Sequence, residues 1–223
     1  MRGQLTLPVT ERPQTTTRLV LASASPRRRE LLALLGLEFE VQPVDVEEVF
    51  RGSLPGLEAR RLAREKAEAA RLLEPEAPIL AADTIVVLDG LILGKPRDAD
   101  EARAMLLGLR GRTHDVITAV ALLPRGERAA LARQPLTRVT MRSYTDDEIA
   151  ASIARGDPFD KAGAYAIQDE GFQPAESFDG CYCNVVGLPL WPVIEMLRKS
   201  GVASPAGDHL LPQCAACPLR RPN

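Results

Sequence analysis

The stretch from residue 79 to residue 90 constrains the fold most strongly. It is an apolar run interrupted by Asp83 and Thr84, with prolines before it and Asp89-Gly90 at its end. Such a run is typical of a central strand that is covered on both faces. A carboxylate buried in a strand is costly unless it is paired, hydrogen-bonded or bound to a metal. Asp83 therefore has a structural partner or takes part in chemistry.

Strands and helices alternate in the first half of the chain and strands cluster later, which predicts an α/β fold with a mixed sheet. Local signals mark helix starts: Ser25 is a capping residue followed by Pro26, and residues 145–148 have the spacing of a capping box. Strands are predicted at 18–22, 38–41, 79–90, 91–93, 114–123, 128–141 (interrupted by Pro135), 172–178 and 181–186, and helices at 26–35, 57–73, 99–107, 146–154 and 190–199.

The length of 223 residues suits one folded domain, which we place at residues 18–199. Residues 1–17 are polar and lack the apolar segment of a secretory signal, so they are predicted to form a flexible leader. Residues 200–223 contain four prolines and no periodicity, and we expect a tail there.

Charge and composition argue against nucleic-acid and membrane partners. The formal net charge is −2, so no bulk electrostatic attraction to nucleic acid or an anionic membrane is present. Aromatic residues make up only 4% of the chain, too few for a base-stacking surface. No apolar run is long enough to span a bilayer. We expect a cytoplasmic protein.

The four cysteines form two pairs, Cys181 with Cys183 and Cys214 with Cys217. Together they have the ligand number of a four-thiolate zinc site. The first pair, however, falls on alternate positions of a predicted strand, and the second lies in the Pro-rich tail. We therefore expect no metal site at these cysteines, and a reducing compartment disfavours a disulfide.

Residues 23–28 form a turn between a predicted strand and a predicted helix, with Arg27 and Arg28 at the helix start. Backbone N–H groups and the positive end of the helix dipole meet there, which suits a phosphate. An ordinary capped helix with solvated arginines fits the same residues. The chain has no phosphate-binding loop of the G-x-x-x-x-G-K-[ST] type.

Other charged residues fit an anion site that includes a metal. Lys95 stands in a rigid Gly-Lys-Pro turn after the central strand, whereas Lys66 taken alone is typical of a solvated helix face. Glu47 or Glu48 could join Asp83 in offering oxygens to a hard divalent ion. Carboxylates with Arg and Lys and no evident nucleophile favour metal-assisted attack of water on a phosphoanhydride.

Seven blocks of the sequence, in order, resemble the Maf family of nucleoside triphosphate pyrophosphatases, and they cover roughly residues 18–199. Seven blocks in register are a far more specific signal than one. The blocks are L-A-S-A-S-P-R-R-R-E-L-L (21–32), L-A-R-E-K-A (62–67), A-A-D-T-I-V-V-L-D-G (81–90), G-K-P-R-D-A (94–99), the stretch ending in G-R-T-H-D-V-I-T-A-V (102–120), G-D-P-F-D-K-A-G-A-Y-A-I-Q (156–168) and N-V-V-G-L-P-L (184–190).

The resemblance implies hydrolysis of a nucleoside triphosphate between its α and β phosphates, with a divalent cation such as Mg²⁺ or Mn²⁺. It also implies an elongated mixed-sheet fold like that of the inosine triphosphate pyrophosphatases, with a central cleft, and a homodimer. Removal of modified nucleotides and arrest of cell division are further implied roles. One alternative is a nucleotide-binding regulator of division that does not depend on catalysis.

The resemblance also implies roles for individual residues. Asp83 is the general base that takes a proton from the attacking water, and Glu48 joins it around the metal. Arg27 holds the phosphates or helps to set specificity, while Lys66 and Lys95 neutralise the triphosphate. The residues expected to bind substrate at the phosphate end are Ser25, Arg27, Arg28, Lys66 and Lys95.

Base selection is expected to depend on Thr84 and Gln168. The G-A-Y-x-I-Q form of residues 163–168 resembles the family branch that acts on dTTP and UTP, and the alternative is the branch that acts on 7-methyl-GTP. The chain departs from the family pattern after Gln168, where Asp169 stands in place of the usual glycine and Glu170 follows it. Two added carboxylates near a triphosphate predict an altered loop or weaker binding.

Overall fold

The computed structural model describes residues 18–203, 205 and 210–220; the predicted leader, residues 1–17, lies outside them. None of the helices in these residues is long and apolar enough to cross a membrane. The strands are β1 (Leu19–Leu21), β2 (Phe39–Val41), β3 (Ile79–Leu88), β4 (Leu91–Leu93), β5 (Thr113–Leu123), β6 (Leu131–Arg133), β7 (Leu136–Met141) and β8 (Ala175–Asp179); the helices are α1 (Pro26–Ala33), α2 (Pro55–Leu73), α3 (Ala99–Leu109), α4 (Asp146–Ala154), α5 (Tyr182–Val186) and α6 (Leu190–Lys199).

The described strands form one eight-stranded mixed sheet, which confirms the predicted fold class. Its main order is β2-β1-β3-β5-β7-β8, with β4 paired to β3 and β6 paired to β5. The strand β1 runs parallel to β2 and β3, whereas every other pairing is antiparallel. The two long central strands, β3 and β5, are almost fully buried, as the apolar run around Asp83 predicts.

Side-chain caps fix three helix starts where the sequence predicts them. The Ser25 hydroxyl accepts a hydrogen bond from the Arg28 amide, and Pro26 is the first residue of α1. The Asp98 carboxylate accepts from the amide of Glu101 at 2.8 Å. The capping box at the start of α4 is complete, with both reciprocal hydrogen bonds present. Each cap satisfies amides that the first helical turn leaves without a partner.

The alternation of side chains along β3 sends neighbouring residues to opposite faces of the sheet. On one face, β3 packs against the alanine-rich side of α2, and Asp83 points to that face, where it meets Lys66. Thr84 points to the other face, toward α1 and α5. The residues of β3 and α2 that pack on the first face are Ile79, Ala81, Ile85, Val87, Ala59, Ala63, Ala67 and Ala70.

One edge of β3 is open for part of its length. The strand β1 pairs with Ile79 and Leu80 only, and β4 pairs with β3 from Val86 onward. Among the described strands, residues 81–85 are therefore paired on the β5 side alone. A split of this kind, just past the carboxyl end of a parallel strand, is where open α/β sheets form ligand crevices.

The strand predicted at residues 181–186 is wrong, because Tyr182–Val186 is the short helix α5. The valines and the tyrosine favour a strand on propensity alone, but tertiary contacts override that preference. The Asn184 amide group bonds to β5 and β7, and Gly187 ends the helix at φ +120° with its N–H bonded to the Cys183 carbonyl at 3.0 Å. The final helix and the strand near residues 175–179 form as predicted.

We predict that Asn184→Ala lowers the free energy of unfolding by about 3 kcal/mol, since it leaves several buried polar groups without partners. The Asn184 side chain accepts from the Thr118 amide at 3.1 Å and donates to the Val116 carbonyl and the Thr137 hydroxyl. Urea denaturation measures the change. The control is Gln213→Ala, an exposed amide whose loss should shift the midpoint little; equal shifts in both variants would contradict the prediction.

Candidate active site

A cavity of about 370 Å³ lies at the open edge of β3. Its walls are the start of α1, the loop before α2, the centre of β3, the turn after β4, the 160–168 loop and α5. The volume suits a small-molecule ligand. All nine predicted site residues line it: Ser25, Arg27, Arg28, Glu48, Lys66, Asp83, Thr84, Lys95 and Gln168.

Lys66 joins the two carboxylates of the site. Its Nζ lies 2.6 Å from Asp83 Oδ1 and 2.8 Å from Glu48 Oε1. Lys66 is only 8% exposed and Asp83 only 4%. The interpretation of Lys66 as a residue of a solvated helix face is therefore wrong. Alanines on the same side of α2 bring the helix close to β3, and this contact turns the ammonium group inward.

The two carboxyl groups differ in their electrostatics. Burial raises the pKa of Asp83 above its ordinary value, although the charge and hydrogen bond of Lys66, and then the charge of Arg28, act against it. Glu48 is less buried, and although that burial raises its pKa, Lys66 and then Lys95 bring the pKa below the ordinary value. Two carboxyls with pKa values pushed apart can take different roles, one as an ion and one as a proton acceptor.

Asp83 has one free oxygen. Its Oδ1 is occupied by Lys66, but Oδ2 is buried and has no hydrogen-bond partner among the described residues. A buried acceptor without a partner costs about 1–3 kcal/mol, so such an atom calls for a ligand, a metal or a water. The residue that the sequence singles out thus has an oxygen available for chemistry.

Asp83 and Glu48 fit a divalent cation as a pair. Mg²⁺ is usually held by one or two carboxylates together with substrate phosphates and water. Within the ranges that the structure describes, no third histidine, cysteine, aspartate or glutamate side chain is grouped with these two as a metal ligand. The pair therefore suits a cation that takes its remaining ligands from a phosphate substrate.

Cationic side chains surround the other end of the cavity. Arg27 Nη1 donates to Asp160 Oδ2 at 2.8 Å, and Lys95 Nζ lies 3.4 Å from both carboxylate oxygens of Glu48. Asp160 also accepts from Lys161 at 2.6 Å. Sequence reasoning missed Asp160 and Lys161 as site residues, although the signal was present in the Gly-punctuated block of residues 156–163.

Arg28 is fixed by three hydrogen bonds. Its Nε donates to the Gly187 carbonyl at 2.9 Å, Nη1 to Ser23 Oγ at 3.3 Å and Nη2 to Thr84 Oγ1 at 3.0 Å. Burial lowers the pKa of Arg28, and the negative charge of Asp83 opposes that shift. With its donors used in this way, Arg28 positions Thr84 and the start of α1 as well as adding positive charge.

The hydrogen bonds of Thr84 have a defined direction. Thr118 Oγ1 donates its single proton to the Asn184 carbonyl at 2.6 Å, so the 2.9 Å contact between the two threonines must use the Thr84 proton. Thr84 also accepts from Arg28. Its hydroxyl therefore has one acceptor position left and nothing to donate to a ligand.

A glycine is required beside this threonine. Gly187 has φ +120°, and an added Cβ would lie 3.3 Å from Thr84 Oγ1 and 3.4 Å from Arg28 Nε. A side chain would thus be strained by the backbone conformation and would crowd both partners. This requirement explains the G-L-P sequence that ends α5.

Gln168 is exposed and lines the cavity, but the two acidic residues that follow it, where the chain departs from the family pattern, make their contacts outside the cavity. Asp169 Oδ1 accepts from the amides of Gly171 and Phe172 at 2.9 and 3.0 Å, and Oδ2 lies 3.7 Å from Arg155 Nη2. Asp169 and Glu170 are not among the residues that line the cavity. The Asp169 carboxylate closes a turn and does not crowd the phosphate end.

His114 does not join a catalytic triad with the serines of the cavity. Its Nε2 lies 2.7 Å from Tyr165 Oη, and the imidazole is not among the residues lining the cavity. Burial lowers its pKa to about 4, so the ring is neutral at physiological pH. It supports Tyr165, which does line the cavity.

We predict that Lys66→Met raises the pKa of Asp83 above its value in the unchanged protein, because it removes the nearest opposite charge and a hydrogen bond. The carboxyl ¹³C shift of Asp83, titrated by NMR without divalent metal, measures it. The matched control is Lys95→Met: that ammonium is 52% exposed and contacts Glu48, so the pKa of Asp83 should change much less. An unchanged pKa in Lys66→Met would contradict the assignment.

The comparisons with known proteins agree with this geometry. A family model described as "Maf-like protein" matches residues 18–200. A dTTP/UTP pyrophosphatase of Thermomicrobium roseum is 54% identical over 205 residues, 90% of this chain and 93% of its own length. A dTTP/UTP pyrophosphatase of Myxococcus xanthus is 49% identical over 190 residues, 85% of this chain and 95% of its own. The chain therefore belongs to the family of Maf-like proteins.

Proposed function

We propose that this protein is a nucleoside triphosphate pyrophosphatase that hydrolyses dTTP and UTP to the monophosphate and pyrophosphate. The observation that carries the proposal is the free Oδ2 of buried Asp83 in a cavity that also holds Arg27, Lys95 and Glu48. The names of the similar proteins supply the substrate class. Cleavage between the α and β phosphates follows from the resemblance.

A divalent cation, Mg²⁺ or Mn²⁺, is part of this proposal, and Glu48 and Asp83 would hold it. When bound, the cation neutralises charge on the phosphates and on the pyrophosphate leaving group. Glu48 suits this position because its lowered pKa keeps it ionised at neutral pH.

Asp83 acts as the general base. Lys66 holds Oδ1, so the two acceptor positions of Oδ2 would serve both roles: one would face the cation, and the other would orient the attacking water and receive its proton. The raised pKa makes the carboxylate a better proton acceptor than an ordinary aspartate, since the best catalytic pKa lies nearer the working pH. The charge and hydrogen bond of Lys66 favour the ionised carboxylate, which is the form that can take a proton.

The phosphates bind at the cationic end of the cavity. Arg27 stands at the first turn of α1, where the helix dipole and the backbone amides favour an anion. Its present partner is Asp160, a carboxylate with 58% of its side chain exposed, which a phosphate can replace with little cost. Lys95, which is half-exposed beside Glu48, adds positive charge at the rim.

The pyrimidine base is selected by the acceptor position of Thr84. Thymine and uracil carry an N3–H donor, whereas cytosine has a bare N3 acceptor that would face the Thr84 oxygen. A site built to accept a hydrogen bond rejects a base that cannot donate one. The exposed amide of Gln168 can pair with either a donor or an acceptor, so it adds contact while Thr84 supplies the discrimination.

Four statements stay predictions from the family resemblance: that the protein is a homodimer, that it is cytoplasmic, that it removes modified nucleotides and that it takes part in cell-division arrest. They concern partners and context, which the contacts of this cavity do not address.

We predict that the protein with Mg²⁺ or Mn²⁺ converts dTTP to dTMP and pyrophosphate, and that Asp83→Asn lowers kcat by about 10²–10⁴-fold through loss of the base. Chromatography of the nucleotides with separate assays for pyrophosphate and orthophosphate measures both. A panel with UTP, dCTP and 7-methyl-GTP tests selection, and dTTP and UTP should be used best.

The control for Asp83→Asn is circular dichroism and thermal unfolding, since the amide is nearly isosteric and the fold should persist. Release of orthophosphate from dTTP would contradict the cleavage position. Unchanged turnover in Asp83→Asn would remove Asp83 as the base, and preference for 7-methyl-GTP or dCTP would overturn the base assignment.

We predict that Arg27→Ala raises KM for dTTP by about tenfold or more, with a smaller effect on kcat, because it removes a charged hydrogen bond to the phosphates. Steady-state kinetics measures the split. Arg29→Ala is the matched control, since Arg29 lies in the same helical turn but is exposed and does not line the cavity. Equal KM changes in both variants would indicate a general charge effect and contradict a specific role of Arg27.

A further inference from the structure

The two cysteine pairs, which the sequence places 31 residues apart, meet in the folded chain. Cys183 Sγ lies 3.1 Å from Cys214 Sγ. The Cys181 thiol interacts electrostatically with the thiols of Cys183 and Cys217. All four side chains are buried and at most 5% exposed. The four cysteines meet because α5 replaces the predicted strand and the tail returns to pack on it.

Backbone amides and apolar side chains surround the four sulfur atoms. The nearby amides of Asn184 and Cys183 at Cys181, and of Leu219 at Cys217, favour the thiolate forms of these two cysteines. N–H donors of this kind stabilise thiolates and orient them as metal ligands. The outer shell is hydrophobic and excludes water: Leu188, Leu190, Leu197 and Trp191 pack against the cluster.

We propose that Cys181, Cys183, Cys214 and Cys217 bind one structural Zn²⁺ ion. Four sulfur ligands from a C-x-C and a C-x-x-C segment match the closed, four-coordinate sites that zinc occupies when its role is structural. Each thiol loses its proton to solvent as it binds, so the ion is held by four thiolates. The site is separate from the cavity that holds Asp83.

The four thiols are not yet spaced as the ligands of one ion, but the separation of Cys183 and Cys214 needs only a small adjustment. With zinc–sulfur bonds of about 2.3 Å, tetrahedral ligands lie about 3.8 Å apart. The separation of Cys183 Sγ and Cys214 Sγ, 3.1 Å, must therefore grow by about 0.7 Å. A disulfide would need these atoms to approach to about 2 Å and would leave Cys181 and Cys217 unused beside it. A zinc ion uses all four thiols.

The ion would connect the end of the chain to the helix that supports the cavity. Trp191 Nε1 donates to the Cys214 carbonyl at 3.2 Å, and Arg220 stacks on the Trp191 ring at 5.4 Å, so residues 210–220 already pack on the domain. The ligands Cys181 and Cys183 begin α5, the helix that ends at Gly187. Free energy of metal binding then adds to the stability of this docking.

The first test is metal analysis of the purified full-length protein after dialysis against Mg²⁺ without chelator. We expect close to one zinc per chain and little iron. Cys214→Ser and Cys217→Ser should lose the zinc and unfold at a lower temperature. Gln213→Ser, an exposed neighbour of Cys214, should keep both the zinc and the unfolding temperature. Glu48→Gln should also keep the zinc, which separates this ion from a cation at Asp83.

A second measurement does not depend on the variants folding. Titration of the native protein with an organomercurial should release zinc in step with modification of four thiols, and Co²⁺ exchanged into the site should show the visible absorption of tetrahedral thiolate coordination. Four reactive thiols without bound zinc, or a disulfide found under denaturing, non-reducing conditions, would overturn the proposal. So would zinc that Cys214→Ser retains and Glu48→Gln loses.

Discussion

The interaction on which the site depends is the bond between Lys66 and Asp83. A carboxylate inside a central strand is tolerated only with a partner, and breaking a buried ion pair from one side costs about 3–5 kcal/mol. Lys66 satisfies one oxygen of Asp83 at 2.6 Å and leaves the other free. The same contact thus lets the strand bury a carboxylate and reserves one oxygen for chemistry.

The open edge of β3 explains why this carboxylate is reachable. Side chains alternate between faces, so Asp83 meets α2 and Thr84 meets α1 and α5, and a fully paired strand would separate them by the sheet. Because β1 stops pairing at Leu80 and β4 starts at Val86, both faces open onto one cavity. Adjacent residues can then act on opposite ends of the same ligand.

Local signals made much of the fold predictable, whereas long-range packing decided the rest. Caps at Ser25 and Thr145 and the apolar run around Asp83 are read from a few neighbouring residues, and the elements that they mark are present. The inward turn of Lys66 depends on how closely α2 approaches β3, which no local pattern contains. The roles of the site residues came from the family resemblance, because spacing alone favoured an ordinary capped helix at Arg27 and Arg28 and a solvated face at Lys66.

The helix α5 shows how long-range packing affects the hydrogen bonds of a site residue. Its polar groups end a directed chain of hydrogen bonds that runs from Arg28 through Thr84 and Thr118 to the Asn184 carbonyl. Since every proton in that chain is committed, Thr84 can only accept from a ligand. A strand at the same residues would remove this acceptor for the Thr118 hydroxyl and free the Thr84 proton. The selectivity proposed for the cavity is therefore a property of the helix behind it as much as of the threonine that faces the base.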